Sequence, residues 1–225
     1  MKEIQSPRVC VVIPTRNRAT DLKECIEALI AQTLSPYEII VVDDNSSDDT
    51  PAVCRKYNVK YLRNRQRMRI PYGRNQGIKA SKSQLVAFLD DDSIPERTWL
   101  EELLNALVRT EGIGIAGGKV ENLAGGRDFL LRLVERSAVG RILMRVLYLK
   151  SDKPGRLHIN GQADDNFHAD YEGEVDWVSA GNMLVDLRKV HAFFDENLKG
   201  SCSWEEVDFC YQTKKSGAST SSVGK

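Results

Sequence analysis

The amino-acid sequence predicts an α/β fold in which one mostly parallel sheet is flanked by helices. Three observations point there. Short β-branched runs recur through the first half, each followed by apolar residues at helical spacing. The runs are apolar without alternation, as expected of strands covered on both faces. The polar motifs "PTRN", "DDNSSDDT" and "DDDS" each follow such a run directly. In a parallel sheet they all fall at strand carboxyl ends, on the rim where ligands of open α/β sheets bind.

The elements follow in order. "RVCVVIPT" (8–15) is a strand stopped near its proline. "DLKECIEALIAQ" (21–32) places Leu22, Cys25, Ile26, Leu29 and Ile30 on one helical face, with Asp21 and Glu24 as a capping pair. "YEIIVVDD" (37–44) is the second strand. "TPAVCRKY" opens a helix with Thr50 as N-cap and Pro51 at the first helical position. "VKYL" (59–62) is a third strand, "GRNQGIKAS" (73–81) a short helix and "QLVAFL" (84–89) a fourth strand. "PERTWLEELLNALVRT" (95–110) is an amphipathic helix with Trp99, Leu103, Ala106 and Leu107 on one face, and "GIGIAGGKV" (112–120) a fifth strand.

The texture changes after Val120. "ENLAGGRD" is a loop, and Phe129 to Lys150 is helical and studded with Arg132, Arg136, Arg141 and Arg145. A polar stretch leads to "VDWVSAGNMLVDL" (175–187), which has strand character, and "WEEVDFCYQTKKSG" (204–217) is helical with a glycine stop. The last residues, "ASTSSVGK", carry little apolar content and read as a disordered tail or an edge. The expected organisation is therefore 1–120 as one half, 121–217 as a second half continuous with it, and 218–225 as tail.

Composition narrows the classes. Of 225 residues, 41% are apolar and 28% charged, ordinary for a globular protein, and no stretch approaches the roughly 20 apolar residues of a membrane span. Thirty-two basic residues balance 32 acidic ones, so overall charge gives no argument for nucleic acid. Cys10, Cys25, Cys54, Cys202 and Cys210 are scattered and contain no Cys-x-x-Cys pair. They read as buried thiols in a reducing compartment, neither a disulfide scaffold nor a zinc site, and the expected location is the cytoplasm.

The aspartates carry the chemistry. Asp90, Asp91 and Asp92 directly follow "LVAFL", where adjacent carboxylates repel more strongly as the local dielectric falls. A divalent cation, Mg2+ or Mn2+, held between Asp90, Asp92 and a diphosphate would relieve that repulsion. Asp43 and Asp44, equally close behind a buried strand, are placed to accept hydrogen bonds from a base or ribose. Arg63, Arg65, Arg67, Arg69 and Arg74 read either as a solvated basic face or as a phosphate clamp.

With "VVIPTRNR", "IIVVDDNSSDDT", "GRNQGIKAS", "FLDDDSIPERTWLEELL", "VDWVSAGNMLVDLRKV" and "EEVDFCYQTKKSG" in that order, the chain resembles the inverting family 2 glycosyltransferases of the GT-A fold. The resemblance implies a Rossmann-like nucleotide-binding sheet continuous with an acceptor-binding half. It implies transfer of a sugar from a nucleotide-diphosphate sugar, assisted by a metal, to a sugar, lipid-linked or protein acceptor. By the same resemblance Thr15, Arg16, Asp44, Arg74, Asn75, Gly77, Asp90 and Asp91 hold the donor, and Asp92 with Asp90 holds the metal. Trp177, Gly181, Asn182 and Glu205 face the acceptor. The family's late acidic motif reads Glu-Asp, the Asp acting as base. This chain has Glu205 and Glu206 there, so Glu206 stands in for the base, and Gln212 replaces a frequent arginine.

Two other classes use acidic residues behind strands. One is a receiver-like phosphoacceptor module; the other is a phosphatase with an aspartate nucleophile. Against the first, a complete strand and helix precede "VVDD". Against the second, "DDDSI" follows the fourth strand rather than the first. The arginine-rich segment Phe129 to Lys150 is read as a lid or packing helix, or as a peripheral membrane contact.

Overall fold

A computed structural model describes residues 7–120, 154–157, 163, 167, 170–198 and 204–224. The first half follows the predicted alternation: β1 (Val9–Thr15), α1 (Ala19–Ile30), β2 (Glu38–Asp43), α2 (Thr50–Lys56), β3 (Lys60–Arg63), α3 (Arg69–Ala80), β4 (Leu85–Leu89), α4 (Trp99–Arg109) and β5 (Ile113–Gly118). Then come β6 (Gly173–Val175), β7 (Asn182–Asp186), a helix here named α5 (Trp204–Lys215), and β8 (Ser219–Val223).

These strands form one sheet in the order β3-β2-β1-β4-β7-β5-β8-β6. β1, β2, β3 and β4 run parallel, as do β5 and β8, whereas β7 is antiparallel to both β4 and β5, and β6 to β8. The reversal of β7 matters for function. Its first residue, Asn182, pairs with Leu89 at the end of β4, so the segment entering β7 lies on the same rim as the strand ends.

Alternation along β1 splits the core between the sheet's two faces. Val9, Val11 and Ile13 pack with α1 and α4 through Leu22, Ile26, Leu100 and Leu103. Cys10 and Val12 pack on the other face with Val207 and Phe209 of α5. The α3 helix approaches that face at Gly77, where an added Cβ would stand 2.2 Å from a Val12 methyl. Cys10, Cys25, Cys54 and Cys210 are free and buried, as expected, and burial pushes the Cys10 thiol up to about 12.

Several local expectations are corrected. The residues read as a disordered tail or an edge form β8, an inner strand between β5 and β6, with Thr220, Ser221, Ser222 and Val223 all buried. The Ser221 hydroxyl donates to the Gly173 carbonyl at 3.1 Å, on the neighbouring β6. At α1 no side chain of that helix provides the cap; Asp48, from the next loop, accepts the Ala19 N–H at 2.9 Å. Thr50 is the first residue of α2 rather than its cap, and its hydroxyl donates to Asp48 at 2.6 Å. The α3 helix begins four residues before the expected Gly73, because Asp44 accepts the N–H groups of Met68 (2.6 Å) and Arg69 (3.0 Å). A carboxylate there complements the positive end of the helix dipole.

Among the described residues no helix is long and apolar enough to cross a membrane. The segment Phe129 to Lys150 and Cys202 lie outside the described residues.

Candidate functional site

A cleft of about 1200 Å3 opens along the carboxyl ends of β1, β2 and β4. Its floor comes from Thr15 and the three aspartates behind β4. Trp177 and Ser179, from the segment entering β7, form one wall. Glu205 and Glu206 enter from the first turn of α5. That helix precedes β8, which runs parallel to β5, so its first turn falls at the same rim as the strand ends.

Two arginines face the aspartates. Thr15 Oγ1 donates to Asp91 Oδ2 at 2.7 Å, and Arg18 Nη1 pairs with Asp91 Oδ1 at 3.3 Å and also with Asp92. Arg74, only 2% exposed, places Nη2 3.2 Å from Asp90 and 3.6 Å from Glu206, while Nη1 lies 3.4 Å from Glu205. Its guanidinium also lies over the Phe194 ring, 5.3 Å from the centroid, and Phe194 stacks on Phe209 of α5. The chain thus supplies part of the positive charge that the acidic triplet requires.

Burial sets the acid–base character of the site. It pushes the Glu206 carboxyl up to about 7, against the opposing Arg74 charge and with help from Asp90 and Glu205. Glu205 is raised for the same reason. Asp91 is pushed up to about 6 by burial, despite the Thr15 hydrogen bond and Arg18. Perturbed carboxyls gathered in one cleft mark a site able to move protons near neutral pH.

The expected site residues divide into two groups. Thr15, Arg16, Asp44, Arg74, Asp90, Asp91, Asp92, Trp177, Glu205 and Glu206 all line the cleft. Gly181 stands at its edge, where an added Cβ would come 2.2 Å from an Asp90 oxygen, so a side chain there would displace that carboxylate. Asn75, Gly77 and Asn182 do not line it. Asn75 staples α3 to the segment after β7: its Nδ2 donates to Phe194 O and Glu196 Oε1, each at 2.8 Å, and its Oδ1 accepts the Phe194 N–H. Gly77 serves the close approach of α3 to β1. Asn182 accepts the Trp99 indole N–H at 2.6 Å and donates to Lys119 O, joining α4 and β5 to the start of β7.

Of the first acidic pair, Asp43 is consumed by structure. It accepts from Ser46 N, Ser46 Oγ and Tyr61 OH and is fully buried. Asp44 accepts from Asn64 as well as the two α3 amides. The arginine cluster also splits. Arg67, Arg69 and Arg74 line the cleft, whereas Arg63 donates to Ser46 O and Asn45 Oδ1. Sequence reasoning missed Arg18, Ser179 and Glu196, all of which line the cleft. For Arg18 a signal existed: it is the second arginine of "PTRNR", within four residues of a strand end that faces an acid triplet.

The donor set suits a hard divalent cation in part. Asp90 and Asp92 offer carboxylate oxygens on side chains 43% and 52% exposed, the ligand type magnesium and manganese prefer. Among the described residues no three His, Cys, Asp or Glu side chains already converge on a coordination site. The protein's share is therefore open, the form in which magnesium keeps waters and takes phosphate oxygens.

The comparisons agree with this architecture. The chain is 35% identical over 122 residues to the glycosyltransferase AglE of Haloferax volcanii, a match covering 51% of this chain and 40% of that protein. It spans less than half of that relative's length. Among solved structures, Staphylococcus aureus TarS 1-349 in complex with UDP-GlcNAc superposes with a TM-score of 0.67 at 16% identity, covering 97% of this chain and 56% of that one. The mannosyltransferase PcManGT from Pyrobaculum calidifontis, in complex with GDP-Man and Mn2+, gives a TM-score of 0.62 at 15% identity, covering 98% and 58%. These likenesses show the GT-A fold. The model of the family described as glycosyl transferase family 2 matches residues 10–155, and the chain belongs to that family.

Proposed function

We propose that this cleft transfers a sugar from a nucleotide-diphosphate sugar to an acceptor hydroxyl, with inversion and with help from a divalent cation, in the synthesis of a glycan. One observation carries the reading: Glu206, its carboxyl pushed up to about 7, lines the same cleft as the aspartates at the strand ends. The complexes of TarS with UDP-GlcNAc and of PcManGT with GDP-Man support the donor class.

In this reading the nucleotide rests at the β1 and β2 ends. Thr15 and Arg16 border it. Asp44 uses three acceptor positions on α3 and Asn64, and a carboxylate has about four lone-pair directions, so one remains for ribose or base. Asp90 and Asp92 would hold the cation, which when bound neutralises charge on the departing diphosphate. Asp91, paired with Thr15 and Arg18, positions that loop. The acceptor is a sugar, a lipid-linked group or a protein, bordered by Trp177 and Glu205.

Glu206 takes the proton from the acceptor hydroxyl as its oxygen attacks the anomeric carbon opposite the leaving diphosphate. A base with its pKa near neutral is both partly ionised and more basic than an ordinary carboxylate, and it takes the proton as the forming bond to the anomeric carbon acidifies the hydroxyl. Arg74 keeps Glu206 and Asp90 at a fixed separation, which aligns base and leaving group. The receiver-like reading is disfavoured, because Asp43 is fully buried and held by Ser46 and Tyr61 while Asp44 caps α3. With Asp43 out of the cleft, Asp44 stands there without the acidic partner that a phosphoacceptor pocket needs.

Thermal shift with UDP-GlcNAc and GDP-Man, each with manganese or with chelator, tests the donor and metal claims, since ligands of the native state raise its apparent stability. Stabilisation that needs manganese is the expected result; none with any nucleotide would reject the reading. Glu206→Gln should abolish turnover of the stabilising donor while leaving its binding intact.

A further inference from the structure

Arg18 and Arg74 both neutralise the acidic triplet, but they are held differently. Arg74 is 2% exposed and faces three carboxylates from two elements. Arg18 is 46% exposed and touches Asp91 and Asp92 through the single nitrogen Nη1. Among the described residues its Nε and Nη2 donate no hydrogen bond, and Arg18 is the only cation paired with Asp92. Asp91 keeps a second partner in Thr15.

We propose that Arg18 is an exchangeable counter-ion: in the ligand-free protein it holds Asp92, and when donor and divalent cation bind it releases Asp92 and turns its guanidinium to the donor diphosphate. The inference rests on the proposed function and adds a donor-binding residue to it. A half-exposed ion pair is screened by water and opens at little cost, unlike the buried Arg74 set. When Arg18 leaves, Asp91 keeps the Thr15 hydrogen bond on Oδ2 and gives up its partner on Oδ1, so Asp92 is freed while Asp91 stays anchored to β1. The unused nitrogens form the fork that binds phosphate oxygens in pairs. A divalent cation beside Arg18 would add charge to a site already holding a guanidinium. The diphosphate supplies the balancing negative charge, so cation and nucleotide should bind cooperatively.

The test measures Mn2+ binding alone, by the loss of the free-ion electron paramagnetic resonance signal, in wild type, Arg18→Gln, Arg18→Ala and Arg18→Lys, with thermal melts as a folding check. Without nucleotide, the Gln and Ala variants should bind Mn2+ about three- to tenfold more tightly than wild type, and the Lys variant should stay near wild type. Adding uridine diphosphate should tighten Mn2+ binding more in wild type than in the Gln and Ala variants. The proposal is overturned if folded Gln or Ala variants bind Mn2+ no more tightly than wild type, or if no form binds it. If the Mn2+ shift appears but neither uridine nor guanosine diphosphate binds any form, the counter-ion half stands, while the turn to diphosphate and the donor reading behind it both fall.

Discussion

Arg74 Nη1 lies 3.4 Å from Glu205 Oε1, joining two residues 131 positions apart in the chain. The pair fastens α3 to the first turn of α5, and the same guanidinium reaches Asp90 behind β4. Removing the cation leaves the buried Glu205 and Glu206 without their counter-charge, and half-exposed Asp90 beside them. Arg74→Met should therefore lower the unfolding free energy by about 3–5 kcal/mol at pH 8, as when one partner of a buried ion pair is deleted. At pH 5, where Glu206 carries a proton, the loss should be smaller. Urea denaturation at the two pH values checks both, and a pH-independent loss would show that packing on Phe194 matters more than charge.

Glu206 links activity and stability to pH in opposite directions. As base it must be ionised, so kcat/KM should rise through an apparent pKa near 7, to which the neighbouring Glu205 carboxylate contributes by repulsion. For stability the sign reverses. The folded value lies above the ordinary 4.5, so the protonated carboxyl's contribution is complete below about pH 4.5 and is lost as pH rises through about 7. Glu206→Gln removes that linkage. The variant should gain on wild type by about 1–3 kcal/mol between pH 5 and pH 8. Denaturation curves that stay parallel across this range would place the titration elsewhere.

The alternation of strands and helices was legible in the sequence because both periodicities are local and the polar motifs abut apolar runs. Asp90 and Asp92 could be nominated for the same reason, whereas Thr15, Asp91 and Glu206 are reached only through the resemblance to the family's motifs. Three kinds of feature were not legible. Asn75, Gly77 and Asn182 sit inside motifs whose neighbours line the cleft, and only tertiary partners such as Phe194, Val12 and Trp99 separate packing from binding. The reversal of β7 between β4 and β5 is a long-range pairing that residue type does not encode. The partner of Asp92 within the chain leaves no local trace, because Arg18 is 74 residues away in sequence.

Asn75 makes three hydrogen bonds to the segment after β7, two of them to the Phe194 backbone. Phe194 in turn carries the ring beneath Arg74. Asn75→Ala should cost about 2–3 kcal/mol of stability, because buried backbone groups lose their partners. Folded variant should keep its nucleotide affinity, since Asn75 lies outside the cleft. Calorimetric titration of uridine diphosphate separates the two: a tenfold loss of affinity in a fully folded variant would return Asn75 to the donor site.

The β8 strand makes the last expectation. A tail of serines and threonines reads as solvated, yet Thr220 is buried and pairs with Ile115 of β5 on one side and Val175 of β6 on the other. An inner strand has no room for proline, which lacks the ladder N–H. Thr220→Pro should cost about 3 kcal/mol or more and separate β6 from the sheet. The entry segment to β7 follows β6 directly and carries Trp177, so this change should also loosen the cleft wall more than 40 residues away in sequence. Quenching of tryptophan fluorescence by acrylamide reads that wall, because Trp99 and Trp177 are buried and Trp204 is half exposed. Increased quenching in the variant is the expected outcome; unchanged quenching and an unchanged melting temperature would mean that 219–223 behaves as a tail after all.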